Sequence, residues 1–197
     1  VDGSGKTTII NSIMPLLTEA VHNEIYYEHM RPNFLPSIAS LFGKEEQVGP
    51  VSNPHEKKES GFIGSVFRLF YYSMDYIIGY WFKVYPSLVR KPSLWIFDRY
   101  FYDYLIDPKR GRIKLPYWII KMIKVFIPRP NLIICLGGDP EIIYDRKKEV
   151  PLKDVQAQVI TLKALSNKMK NAYWIDTSNT IEITINEVVE LIKKNMN

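Results

Sequence analysis

The chain has 197 residues, 46% of them apolar and 13% aromatic, enough for one large domain with a real core, since a domain of this size buries roughly 70% of the surface its unfolded chain exposes. A net charge of +5 and a pI of about 9.1 favour anionic partners, yet the Lys and Arg residues are dispersed, so small phosphorylated molecules account for the balance and no nucleic-acid partner is expected. The single cysteine, Cys135, excludes an internal disulfide framework; lying in the apolar run Leu132 to Leu136, it reads as a buried, inert thiol in a reducing cytoplasm.

The first eight residues, Val1-Asp2-Gly3-Ser4-Gly5-Lys6-Thr7-Thr8, carry most of a phosphate-binding loop that opens into a helix. In the pattern G-x-x-x-x-G-K-[ST], Gly5 and Lys6 take the second glycine and the lysine, and the first glycine falls just ahead of Val1. Gly3 and Gly5 lack Cβ atoms, so the backbone can bring several N–H groups onto phosphate oxygens. Lys6 is placed to reach the β and γ phosphates and Thr7 to put its hydroxyl on Mg²⁺, while the helix start aims its positive end at the same anion. The competing reading is a glycine-rich turn that caps an ordinary helix.

From Thr7 to Ala20, the apolar positions Ile9, Ile10, Ile13, Met14 and Leu17 form one helical face, and Pro15 predicts a kink or an early end. Asn23 to Met30 reads as the second strand, with the first ahead of Val1, and it brings Arg31 to a strand end. A short helix over 38–42 is followed by a polar, proline-containing surface loop over 44–60. Phe62 to Val89 reads as a long aromatic helix broken at Pro86. Interrupted by Arg68, Asp75 and Lys83, it is a core helix with some interfacial character and not a membrane span. Ser93 to Phe97 is a buried strand that ends in Asp98-Arg99.

A short aromatic helix over 100–106, a basic turn with Arg110 and Arg112, and a helix opened by Pro116 follow. Asn131 to Leu136 is the next strand, then Gly137-Gly138 and a helix leading into the basic segment Arg146-Lys147-Lys148, which reads as a helix end or as part of a lid over about 145–153. A helix over 152–165, a strand over 172–175 and a closing helix over 181–194 complete the chain. Apolar strands that alternate with helices predict a parallel sheet covered on both faces within a single domain over 1–197.

In an open parallel sheet, ligands bind beyond the carboxyl ends of the strands. Those ends carry the phosphate loop, Arg31, Asp98 and Arg99. Asp98, after four apolar strand residues, is placed as a Walker B acid for Mg²⁺ or as a cap on the next helix. Arg99 offers a fork for a phosphate or a partner for a structural ion pair.

The opening VDGSGKTT, the strand-end Asp98-Arg99-Tyr100 and the strand-helix-lid order resemble thymidylate kinase and the wider nucleoside monophosphate kinase group. DRYFYDYLIDPKRGR, IPRPNLIICL and GDPEIIYDRKKEVPL are similar to the thymidylate kinase-like branch, and the resemblance covers nearly the whole chain. It implies a three-layer α/β sandwich around a five-stranded parallel sheet of order 2-3-1-4-5, with ATP as donor and Mg²⁺ as cofactor. It also implies an acceptor site with Asp2 on the sugar and Arg99 and Arg31 on the phosphate. From the residues themselves, Tyr72 is placed on the helix that would face the acceptor base, and Arg146 as a lid cation delivered to the phosphoryl group on closure. The stretch Leu69 to Asp75 places Tyr72, Ser73 and Met74 where thymidylate kinases carry a thymine-reading arginine, so thymidylate is expected to be a poor or non-exclusive acceptor. The alternatives are a kinase of a non-nucleotide phosphorylated metabolite and a non-catalytic nucleotide-binding protein, in one form docked to a membrane surface through its aromatic helices. Membrane-surface association is not expected, and a homodimer is left open.

Overall fold

The computed structural model describes residues 1–20, 24–41 and 60–196. The surface loop expected over 44–60 lies outside the described residues up to position 59. The elements are α1 (Lys6–Ala20), β1 (Glu24–His29), α2 (Ile38–Leu41), α3 (Phe62–Gly79), a π-helical turn (Tyr80–Val84), α4 (Tyr85–Arg90), β2 (Ser93–Asp98), α5 (Asp103–Ile106), α6 (Tyr117–Lys124), β3 (Ile133–Gly137), α7 (Pro140–Arg146), α8 (Leu152–Lys168), β4 (Ala172–Asp176) and α9 (Ile181–Met196).

The expectation of a five-stranded parallel sheet of order 2-3-1-4-5 is corrected. The described residues form two separate two-stranded parallel sheets, β1 with β2 and β3 with β4. Their registers run from Glu24 opposite Ser93 to His29 opposite Asp98, and from Ile133 opposite Ala172 to Gly137 opposite Asp176. Among the described residues no fifth strand supplies a ladder of N–H and C=O groups to either pair. The strands are accordingly less enclosed than their apolar runs suggest: in β2 only Asp98 is buried and the other five residues are half-buried.

The chain divides into two compact units, Val1–His22 with Arg129–Asn197, and Asn23–Pro128. In the first, α1 buries Ile9, Ile13 and Leu17 and packs on α9, which buries Val188, Val189 and Ile192. This is the four-residue spacing read from the sequence, and each such side chain contributes roughly 1.5–3 kcal/mol when fully buried. α8 covers both β3 and β4 and closes a small core of Ile143, Val150, Val155 and Val159. α1 runs through Pro15 to Ala20 without ending early. Pro15 and Asn11 are both exposed, so the carbonyl that loses its helical partner lies on the solvent side.

In the second unit, α3 turns Leu69, Ser73 and Tyr76 inward, and Tyr76 meets Tyr100 and Phe101 edge-on at 4.8 and 5.8 Å between ring centroids. The helical path does not break at Pro86. The π-helical turn shifts the hydrogen-bond register, with Tyr85 N–H donating to the Tyr80 carbonyl, and Pro86 falls directly after it in the first turn of α4, where the widened turn accommodates a residue without an N–H.

Candidate functional site

The phosphate loop and its surroundings belong to the first unit. Gly3 and Gly5 have φ of 79° and 76°, the left-handed region that favours residues without a Cβ. At Gly3 a Cβ would sit 2.4 Å from the Ile143 carbonyl oxygen, so the loop backs directly onto α7. At Gly5 the nearest atom to such a Cβ is 3.9 Å away, which leaves that side of the loop open. Ser4 is buried and donates to the Val1 carbonyl at 2.9 Å, and Lys6 Nζ donates to the same carbonyl. The ammonium is thereby curled back over the loop. α1 starts at Lys6, with the Ile9 N–H on the Gly5 carbonyl at 2.9 Å. Asp2 is buried, and Thr7 and Thr8 are exposed at the first turn.

Beside this loop lies a cavity of about 260 Å³ whose lining includes Ser4, Gly5 and Thr8 of the loop, Arg146 at the end of α7, and Thr177, Asn179 and Ile181 after β4. The volume is near the lower bound of small-ligand pockets, about 300 Å³. The wall after β4 is built by the sheet end: Thr177 N–H donates to the Gly137 carbonyl at 2.6 Å, and its hydroxyl donates there at 3.0 Å. A Cβ at Gly138 would lie 2.5 Å from Ser178 Oγ, which itself accepts from the Asp139 N–H at 2.8 Å. The two glycines after the apolar run thus let the β3 and β4 ends close together. The neighbouring Lys147 and Lys148 pair with Glu149 and Asp145 at 2.9 and 3.4 Å, whereas Arg146 lines the cavity.

Arg31, Tyr72, Asp98 and Arg99 belong to the second unit. Met30 has a φ of 71°, its N–H continues the ladder onto the Asp98 carbonyl at 2.9 Å, and Tyr76 donates its hydroxyl to the Met30 carbonyl. That turn delivers Arg31 to α3. Arg31 Nη1 donates to Asp75 Oδ2 at 3.1 Å, and its guanidinium carbon lies 4.8 Å from the Tyr72 ring centroid. Asp75 is fully buried, and its other oxygen accepts from the N–H groups of Phe34 and Leu35 at 2.9 and 2.7 Å. Three donors converge on that carboxylate, which explains how a charge is tolerated inside an aromatic helix. Tyr72 in turn stacks on the buried Tyr104, rings 5.8 Å apart and 5° from parallel.

Asp98 Oδ2 lies 3.5 Å from His29 Nδ1 and accepts from the Tyr27 hydroxyl at 3.4 Å. Burial first, and then the Asp98 charge, raise the Tyr27 phenol above its ordinary pKa. Arg99 has a φ of 77° and pairs at 2.8 Å with Asp103, the first residue of α5. The structure therefore brings Arg31 onto Tyr72, while Arg31 and Arg99 engage different carboxylates. Among the described residues there is no group of three His, Cys, Asp or Glu side chains that could hold a metal ion. Mg²⁺ that arrives with a nucleotide needs only one or two protein oxygens; within the first unit Thr7 offers a hydroxyl exposed at the first turn of α1, and within the second Asp98 offers a carboxylate.

A scan against protein-family models finds no match to the chain, and a search of curated proteins finds none either. The functional reading rests on its own residues. Two groups escaped the sequence reading. Thr177, Asn179 and Ile181 had one signal, a polar run directly after a strand; Asp75 had another, a lone acid in a helix otherwise rich in aromatics.

Proposed function

We propose that the chain is a phosphotransferase of the nucleoside monophosphate kinase type, which moves the γ-phosphoryl group of ATP, with Mg²⁺, to a nucleoside monophosphate. The observation that carries this reading is the left-handed glycine loop opening α1 beside a cavity of about 260 Å³. Triphosphate oxygens meet the loop N–H groups and the start of α1, and the donor base enters the cavity against Arg146 and the wall after β4. Lys6 leaves the Val1 carbonyl for the β and γ phosphates. Mg²⁺, when bound, neutralises charge on those oxygens. Arg31, Arg99 and Tyr72 of the second unit are assigned to the acceptor, Arg31 and Arg99 to its phosphate. No side-chain base is required, because a phosphate monoester with a second pKa near ~6 is largely a dianion at neutral pH. ATP use and the lone buried Cys135 fit a cytoplasmic setting.

The test is steady-state turnover with ATP and Mg²⁺ over thymidylate, other nucleoside monophosphates and sugar phosphates, beside calorimetric ATP binding. Transfer to nucleoside monophosphates without exclusive use of thymidylate is expected. Use of sugar phosphates alone points to a metabolite kinase, and ATP binding without any transfer to a non-catalytic protein; either result overturns the proposal.

A further inference from the structure

Arg31 holds Asp75 through one nitrogen, Nη1 on Oδ2, while the other carboxylate oxygen accepts from the Phe34 and Leu35 N–H groups. A bidentate pairing fixes the plane of a guanidinium, whereas a single bond leaves the fork able to turn about it. A second contact comes from the Tyr72 ring, whose centroid lies 4.8 Å from the Arg31 guanidinium carbon. Tyr72 is in turn held at two places. Its ring stacks on the buried Tyr104, and its hydroxyl accepts from Arg68 Nη1 at 3.3 Å. Arg68 Nε donates to Ser60 Oγ at 2.8 Å. Ser60 is itself anchored, with its N–H on the Arg112 carbonyl at 3.2 Å and its carbonyl accepting from the buried Ser65 hydroxyl at 3.0 Å.

We propose that Arg68 is a positioning residue for acceptor binding: it holds the Tyr72 ring against Arg31 and so fixes the plane of the guanidinium that receives the acceptor's phosphate. This role rests on the assignment of Arg31 to that phosphate. Arg68 is half-buried, and both of its side-chain bonds go to hydroxyls. A carboxylate partner would give a stronger, charge-assisted pair. What the guanidinium supplies at two neutral hydroxyls is geometry, a rigid planar fork that spans an anchored serine and the edge of Tyr72. Without the bond to its hydroxyl, Tyr72 keeps the stack on Tyr104 but can slide along it. Arg31 then loses its second contact and is left on the single bond to Asp75.

The experiment compares Arg68→Met, which keeps the aliphatic stem, Tyr72→Phe, which removes only the hydroxyl, and the double variant, all in the full chain. With the nucleoside monophosphate that the wild type uses best, each single variant should raise the acceptor KM about fivefold and leave the KM for ATP unchanged. The double variant should do no worse than either single one, because both remove the same link. Independently of turnover, the Nε–H nuclear magnetic resonance signal of Arg31, assigned by its loss in Arg31→Lys, should be sharp in the wild type and broadened in either variant. A wild type that transfers to no nucleoside monophosphate overturns the kinase reading alone, and the Arg31 signal then decides the positioning. Should Arg68→Met fold poorly, Tyr72→Phe still decides. An unchanged acceptor KM in an active enzyme, equal rises in both KM values, additive losses in the double variant, or an Arg31 signal that neither variant alters overturns the proposal.

Discussion

Lys6 and Asp75 show how two charged side chains in one chain are held for opposite reasons. Lys6 is tied to the Val1 carbonyl, a partner it can exchange for phosphate oxygens, so its removal should spare the fold and strike chemistry. Lys6→Ala is expected to lower kcat by on the order of 10²–10³-fold with unchanged urea unfolding; transfer at the native rate would remove the phosphate-loop assignment. Asp75 is fully buried and accepts from Arg31, Phe34 and Leu35 together. Asp75→Ala leaves a guanidinium and two backbone donors unsatisfied and is expected to cost about 3 kcal/mol of stability. Asp75→Asn keeps an acceptor but releases the fixed Arg31, so the KM for the acceptor should rise while the KM for ATP stays. A rise in both would show that Asp75 supports the unit as a whole and not Arg31.

At the scale of elements, the ends of β3 and β4 set the cavity wall through two glycines. A Cβ on Gly137 would lie 2.0 Å from the Trp174 ring, which itself packs against the α8 core. Gly137→Ala must therefore displace a large side chain and is expected to destabilise by about 1–3 kcal/mol, read as a lower urea midpoint at constant slope. Its carbonyl also accepts both bonds from Thr177, so ATP affinity should fall with it. Gly5→Ala supplies the contrast. There the space is open but the φ is left-handed, and a smaller loss of about 1 kcal/mol should accompany a large loss of nucleotide binding. Equal effects of the two substitutions on binding and on stability would contradict the division of labour between loop and sheet end.

At the scale of the molecule, the second unit gathers a set of largely buried phenols, Tyr76, Tyr100 and Tyr104. Burial, and then neighbouring tyrosines, raise the pKa values of Tyr76, Tyr100 and Tyr104. A phenol whose folded pKa lies above its unfolded value near ~10 contributes fully below that value. Above it the unfolded chain loses protons that the folded chain keeps, so stability falls as pH climbs. Urea unfolding followed by phenolate absorbance is expected to show these tyrosines ionising only as the chain unfolds, with the midpoint dropping steadily above about pH 10. Reversible titration of all 13 tyrosines near the ordinary value, with no change in stability, would show the cluster to be open to water.

The local pattern of the sequence determined the elements and the loop. Period-four apolar residues set α1, short apolar runs set β2 and β3, and the Gly-Ser-Gly-Lys spacing set a loop whose two glycines do take the left-handed conformation. These features depend on neighbours within a few residues, which a sequence displays directly. Strand pairing, the partner of each charge and the exposure of each apolar face depend on residues far apart in the chain. Hence only the tertiary structure decided that four strands pair two by two, that Arg31 meets Asp75 44 positions away, and that Arg99 closes on Asp103. It also decided that α6 turns Trp118 and Phe126 to water: apolar residues at helical spacing read the same whether they face a core or a surface, and only the packing of the other side tells them apart.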